Sequence, residues 1–229
     1  MMSTGFHLSL HPCAKQGAAE CLRQRSSLRR IEGAKLRPTI VEIPSELESM
    51  LTGSMGPTKQ KAARLVVDLA STAAATEFIE VENAHVSGVS VITGGHGLRR
   101  FLADLSGDLD GKVAIPTTLN SAGCDHQKMD EMGIDHPDFL EQQFEIVHAY
   151  SELGIEAILS CTPYDRGIED DEGIGSWAES NAVCFSNSYT SLITNRESGL
   201  SALATALTGW APKWGLHLAE NRVPNILVK

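Results

Sequence analysis

Between Lys112 and Arg166 the chain passes through a short apolar run, a polar loop, a long amphipathic segment, a second apolar run and a second polar loop. That order is the pattern of βαβ units, in which successive strands lie parallel in one sheet and the intervening helix covers a face of it. Lys112-Val113-Ala114-Ile115-Pro116 reads as a strand ending at a proline, and Thr117 to His126 as the polar loop after it. The helix follows, with Pro137 suited to its first turn and Gly154 to the position just past its end. Leu140, Phe144 and Val147 form one apolar stripe and Ile146, Tyr150 and Leu153 another, a face wide enough to predict burial between a sheet and other elements. Ile155–Ser160 is then expected as a buried strand that delivers Cys161 at its carboxyl end. The fold class these elements predict is α/β, a largely parallel sheet with flanking helices. In such sheets ligands bind beyond the carboxyl ends of the strands, where both the Asn120–His126 and Cys161–Arg166 loops would lie.

The flanking text is consistent with this architecture. Ser45 is placed to cap a short helix carrying Glu46 and Glu48 in its first turn, and Gly53 and Gly56 end it. Pro57 opens a second helix, with Ala62, Leu65, Val66 and Leu69 on one side and Lys59, Lys61 and Arg64 facing out. Phe78–Val81 alternates as a short strand, and His85–Ser90 leads into Gly94-Gly95-His96-Gly97, expected as a loop with positive φ angles. That loop has neither a Walker lysine nor G-x-G-x-x-G spacing, so it is a weak phosphate cradle. A further helix is expected from near Trp177, with Ser180, Cys184 and Asn187 along one side, and another over Leu200–Leu207 ending at Gly209.

Composition limits what such a domain can do. A net charge of −10 argues against a nucleic-acid surface, which needs clustered cations to neutralise phosphates. Residues 1–37 carry seven of the basic residues and two acids, leaving twelve basic and 27 acidic residues in the rest. Residues 1–40 are expected to be a poorly ordered extension, a flexible lead or a misplaced gene start in preference to an organellar transit peptide. No apolar run is long enough to span a bilayer, so the expected location is the cytoplasm, with an organellar matrix as the alternative if residues 1–37 are a transit peptide. Five scattered cysteines fit reduced thiols better than a disulfide framework.

The residues that can carry chemistry are gathered in two stretches. Ser160-Cys161-Thr162-Pro163-Tyr164 and Glu179–Ser188 hold two cysteines and a row of small polar side chains, a composition that suits a site better than a core. Cys124, Cys161 and Cys184 are separated by 37 and 23 residues, which matches no C-x-x-C zinc or ferredoxin pattern. Three thiolates from separate loops can still hold an iron–sulfur cluster with one iron open. The other readings are inert core thiols, above all for Cys184 within its helix, and a cysteine nucleophile, for which no local signature exists. No G-x-S-x-G elbow supports a catalytic serine. His126 beside Asp125 reads as a general acid or base, or as a solvated pair. Arg166 and Arg196 can each grip a carboxylate, or pair with Asp165 or Glu169 and with Glu197.

The blocks Val113–Gly123, Ser160–Tyr164, Trp177–Val183, Ser186–Ser188, Thr194–Glu197, Gly215–Leu218 and Glu220–Arg222, with the earlier His85–Ser90, closely resemble the large, catalytic part of aconitase X, over roughly residues 45–223. The resemblance implies an aconitase-superfamily hydro-lyase with an iron–sulfur cluster and α/β domains around a cleft. Its members eliminate water from small hydroxy acids such as mevalonate 5-phosphate or hydroxyproline isomers. It makes Cys161 a cluster ligand, with Cys124 and Cys184 as further candidates, and Ser87, Asn120, Asn187, Ser188 and Arg196 parts of the substrate pocket. Residues 45–229 would be the N-terminal portion of the catalytic domain. The family's large subunit continues past the Glu-Asn-Arg block to a Gly-Cys-Pro-His segment, and a small swivelling subunit or domain closes the cleft. The alternative is a truncated or degenerate homologue without catalysis.

Overall fold

The computed structural model describes residues 42–125, 127–128, 131–133, 138–165, 172–224 and 226. The lead over 1–40, His126, Pro137 and Arg166 lie outside them. A helical hairpin comes first, α1 (Ser45–Leu51) and α2 (Pro57–Ala73), followed by β1 (Phe78–Glu80), β2 (Asn83–Val86), α3 (Val91–Ser106), β3 (Thr117–Leu119) and α4 (Phe139–Glu152). After a 3₁₀ turn at Pro163–Asp165 come β4 (Glu172–Trp177), α5 (Ser180–Tyr189), β5 (Ser191–Arg196), α6 (Gly199–Thr208) and β6 (Trp210–Pro212).

The predicted α/β class is what the chain adopts. Four parallel strands stand in the order β3-β2-β4-β5, and β1 pairs antiparallel with β6 in a separate ribbon. Because side chains alternate across a strand, β2 divides its residues between two environments. Val86 and, from β3, Leu119 join an apolar core with Leu102, Leu105, Ile146, Leu203 and Leu207 from α3, α4 and α6. Trp177 and Leu192 pack with Ala182 and Val183 of α5. α3 lies against α4, and α6 against α2 and β2, where its alanines allow the close approach expected of that helix.

Several elements differ from the sequence expectation, each for a local reason. Pro116 has no N–H to give a ladder, so β3 begins at Thr117, and the expected strand at 112–116 contributes only single bonds, such as Ala84 N–H to the Pro116 carbonyl at 3.0 Å. Thr117–Leu119 is therefore strand, not loop. The run 155–160 pairs with β3 only through Glu156, because Leu159 takes a left-handed φ of 49° that an extended strand cannot contain. Trp177 ends β4, and the helix expected near it starts at Ser180. Gly94–Gly97 lies within α3, where Gly95 alone turns to a positive φ of 52° and kinks the helix. Ser45 is the first helical residue and caps nothing with its side chain.

Lys59, expected to face out, is buried, and its ammonium donates to the Leu207 carbonyl at the end of α6, one of the carbonyls a helix leaves unpaired. Burial pulls its pKa down, and Glu46 opposes the shift. Of the two stripes on α4, the one carrying Ile146, Tyr150 and Leu153 is buried, whereas Phe144 is 47% exposed. No helix among the described residues is long and apolar enough to cross a membrane.

Candidate active site

From β2 the chain moves outward to β3 and the bridge at Glu156, then returns past β2 to lay down β4 and β5 on the other side. The sheet therefore reverses direction between β2 and β4, and the carboxyl ends of these two strands flank the crevice where open parallel sheets bind ligands. Ser87, just past β2, donates its hydroxyl to the Ala178 carbonyl just past β4 at 3.2 Å. Asn120, just past β3, donates its amide to Glu179 Oε2 at 2.7 Å, and its Oδ1 accepts the Ser121 N–H at 2.8 Å. Ser121 Oγ lies 3.1 Å from Cys161 Sγ, and Asn181 of α5 donates to the Cys161 carbonyl at 3.2 Å. Four separate segments thus meet at one sheet edge.

Three helices begin at this edge, α3 after β2, α5 after β4 and α6 after β5. Each carries partial positive charge at its start, which favours an anion there, while side chains already take up N–H groups at the starts of α3 and α6. Ser90 caps α3 by accepting the Ile92 N–H, and Ser198 caps α6 in a reciprocal box with Ser201. Gln143 of α4 is fully buried and braces the arrangement, donating to the Val89 carbonyl at 2.8 Å and accepting from Val91 N–H at 3.1 Å and Gly123 N–H at 3.2 Å. Arg196, the last residue of β5, is exposed and makes no ion pair among the described residues, so the pairing with Glu197 is not formed.

Beneath the crevice lies His85, fully buried on β2. Its Nδ1 is 2.8 Å from Thr118 Oγ1, and its ring meets Trp177 edge-on at 6.4 Å. Nε2 has no partner in bonding geometry, although Asn120 lies near enough to favour the protonated ring. Burial dominates and drives the pKa down to about 4, against the pull of Glu179 and Asn120. Unfolded histidine titrates near 6.5, so the unfolded state binds more protons between those two values. The stability due to the neutral ring is complete above pH 6.5 and is lost as pH falls toward 4. Urea unfolding should show a loss of about 3 kcal/mol over that window, reinforced by buried His217, whose pKa burial also lowers, and diminished in His85→Gln.

The remaining expected residues fall into different settings. Cys124 is buried and burial pushes its thiol pKa up, the state of an unreactive thiol. Cys184 is exposed on α5, which overturns the reading of it as a helix-core thiol. Cys161 is half-buried at the edge itself. Among the described residues no three His, Cys, Asp or Glu side chains gather as a metal site.

Asn187 ties α5 to β5: its Nδ2 donates to the Val183 and Thr194 carbonyls at 2.9 and 2.8 Å, and its Oδ1 accepts the Thr194 N–H at 3.3 Å. Asn187→Ala should lower unfolding free energy by about 1–3 kcal/mol in a denaturant titration, because buried backbone groups lose their partner. Ser188 is exposed on the same helix. His85, Gln143 and Glu179 were assigned no role from sequence. Glu179 and His85 stood inside blocks that carried the resemblance, whereas Gln143 on an apolar helix face gave no signal.

Two concavities flank these features. The larger, about 1010 Å³ between α3 and α4, is an apolar groove lined by Leu140, Phe144 and Ala149 with Arg99 and Glu145 at its side. The smaller, about 530 Å³, is lined by Ser121–Asp125, Gln127, Met132 and Leu159, and it adjoins the strand edge. The larger groove also carries Ser106, Glu141 and His148, and Arg99 there is paired with Glu145.

Fold and edge together define an α/β domain whose polar side chains gather at the topological switch point of its parallel sheet. The chain belongs to the aconitase X family: residues 41–220 match the family model described as the aconitase X first domain. It is 38% identical over 188 residues to the phosphomevalonate dehydratase large subunit of Methanosarcina mazei, covering 81% of this chain and 46% of that protein. It is 34% identical over 186 residues to the cis-3-hydroxy-L-proline dehydratase of Pseudomonas aeruginosa, covering 80% and 31%. The holo-form crystal structure of Thermococcus kodakaraensis aconitase X superposes with a TM-score of 0.69 at 37% identity, over 79% of this chain and 44% of the other. The chain thus spans less than half the length of these relatives.

Proposed function

We propose that this chain forms one wall of the active site of a hydro-lyase that eliminates water from a small hydroxy acid. The observation that carries the reading is the meeting of Ser87, Asn120 and Cys161 with three helix starts at the carboxyl edge of the sheet, where Arg196 ends the neighbouring strand β5. Arg196 and the helix N-termini would hold the substrate's carboxylate, or its phosphate, while Ser87 and Asn120 orient it through hydrogen bonds. Both named relatives are dehydratases of hydroxy acids, which supports the reaction class for this chain.

Family membership supports an iron–sulfur cluster as the cofactor, with Cys161 as this chain's ligand. When bound, such a cluster supplies a Lewis acid for the departing hydroxyl. The name of the Methanosarcina relative supports a small-subunit partner. Free thiols at Cys124, Cys161 and Cys184 suit a reducing compartment and support a cytoplasmic location.

The test is an anaerobic assembly of this chain with the small subunit and the uncovered part of the Methanosarcina mazei large subunit. Loss of water from mevalonate 5-phosphate or cis-3-hydroxy-L-proline is the expected result. An assembly that binds iron but dehydrates neither acid would instead identify a homologue without catalysis.

A further inference from the structure

α6 covers the face of the sheet that carries Val86, the opposite side from His85, and it shares that core with α2. Between α2, α6 and the segment after β6 a slot of about 180 Å³ opens, lined by Leu69, Ala73, Glu197, Thr205, Pro212 and Trp214. Sites for cofactors and drug-sized ligands start at about 300 Å³, so this one takes a small group. At about 30 Å³ per water molecule it has room for roughly six.

Two groups in the slot are unspent. Glu197 is half-buried, and its carboxylate makes no hydrogen bond or ion pair among the described residues. Its N–H is bonded to the Trp177 carbonyl at 3.0 Å, which fixes the backbone that carries it. Lys213, between Pro212 and Trp214, pairs with Glu77 at 2.8 Å instead. His217 stands within electrostatic reach of Glu197, but burial dominates there and holds the ring neutral. Thr205 is only 2% exposed, yet its hydroxyl makes no hydrogen bond among the described residues. Thr208 on the same helix donates to the Ala204 carbonyl at 2.9 Å, the usual bond of a helical threonine. An unpaired polar group as deep as Thr205 calls for a partner.

These features select one ligand chemistry. A carboxylate with no cation among the lining residues repels anions, and covering it with a neutral apolar group would bury a charge without a counter-ion. A divalent metal ion takes about six or more oxygen ligands, whereas the slot sets one carboxylate and a few hydroxyls against apolar walls. An ammonium on a short carbon stem meets every group present. Its N–H donors reach Glu197 and Thr205, its stem lies against Leu69, Ala73 and Pro212, and the Trp214 indole attracts its charge. We propose that the slot between α2, α6 and Trp214 is a binding site for a small protonated amine. Ser201, one turn before Thr205, also lines it and holds the capping box with Ser198, so a bound amine braces the start of α6.

The test titrates the 229-residue chain with n-butylammonium chloride at neutral pH and constant chloride, reading the indole N–H signals of its three tryptophans by NMR. Trp214→Phe identifies the signal to follow. That signal should shift saturably with a dissociation constant on the order of 1 mM, in keeping with a ligand of so few heavy atoms. n-Butanol, close in shape but uncharged, should bind at least about tenfold more weakly. Glu197→Gln keeps the size, so it should melt at the wild-type temperature and lose affinity by about tenfold or more, and Thr205→Val should lose about threefold. A Trp214 signal that does not saturate by about 20 mM, or butanol binding as tightly as butylammonium, overturns the assignment. So does a folded Glu197→Gln chain that binds the amine with wild-type affinity. The comparison with butanol needs no variant, so a substitution that folds poorly leaves the assignment decidable.

Discussion

Cys161→Ser in the anaerobic assembly should abolish stable iron and sulfide binding and lower dehydration by about a thousandfold, while leaving the thermal unfolding of the chain unchanged. The expectation combines two local facts. Cys161 Sγ lies half-buried at the carboxyl edge, 3.1 Å from Ser121 Oγ. A serine hydroxyl there can keep the bond to Ser121 and nearly the same volume, so the fold loses little. What it cannot do is act as a soft thiolate, and a Lewis acid at a leaving hydroxyl is worth several kcal/mol, about 4 kcal/mol for a thousandfold. Iron and sulfide analysis with a melting curve separates ligand loss from unfolding. Iron retained by the variant would remove Cys161 from the ligand set, and the parallel Cys124→Ser and Cys184→Ser variants would show which thiol takes its place.

Gly199→Val should destabilise the chain by about 4 kcal/mol, beyond the usual range for overpacking. A Cβ at Gly199 would stand 2.2 Å from the Ser87 carbonyl oxygen and 2.9 Å from its carbon, and both are backbone atoms that cannot rotate away. The start of α6 and the loop after β2 approach this closely because both belong to the switch-point edge. A valine must push them apart, breaking the capping box at Ser198 or the Ser87–Ala178 bond. In a chain of this length the melting temperature should fall by roughly 8–16 °C, and a shift under about 3 °C would mean that the edge yields freely.

The sequence was most legible where its signals were periodic. The α4 pattern, the Pro57 start of α2 and the Gly209 end of α6 translate directly into helices because local geometry alone determines them. Strand limits were less legible. Pro116 shifted β3 by withholding a donor, and the left-handed Leu159 ended pairing at Glu156, both consequences of backbone partners that lie far away in sequence. In the candidate site, the edge position of Asn120 and Cys161 followed from reading βαβ units, whereas Ser87 and Arg196 entered only as pocket residues through the family resemblance. The polar column of His85, Asn120 and Glu179 did not, because it joins three strand ends that only the β3-β2-β4 order brings together. Asn187 illustrates the converse, a polar side chain in a functional block whose amide is taken up by the backbone of β5.

The central claim is that substrate lies across the β2/β4 switch point of this chain. A crystal structure of the anaerobic assembly with a bound hydroxy acid measures that directly. The account predicts the acid's carboxylate or phosphate within hydrogen-bond reach of Arg196 and of Ser87 or Asn120. Substrate seated elsewhere, for instance in the apolar groove between α3 and α4 beside Phe144, would contradict it.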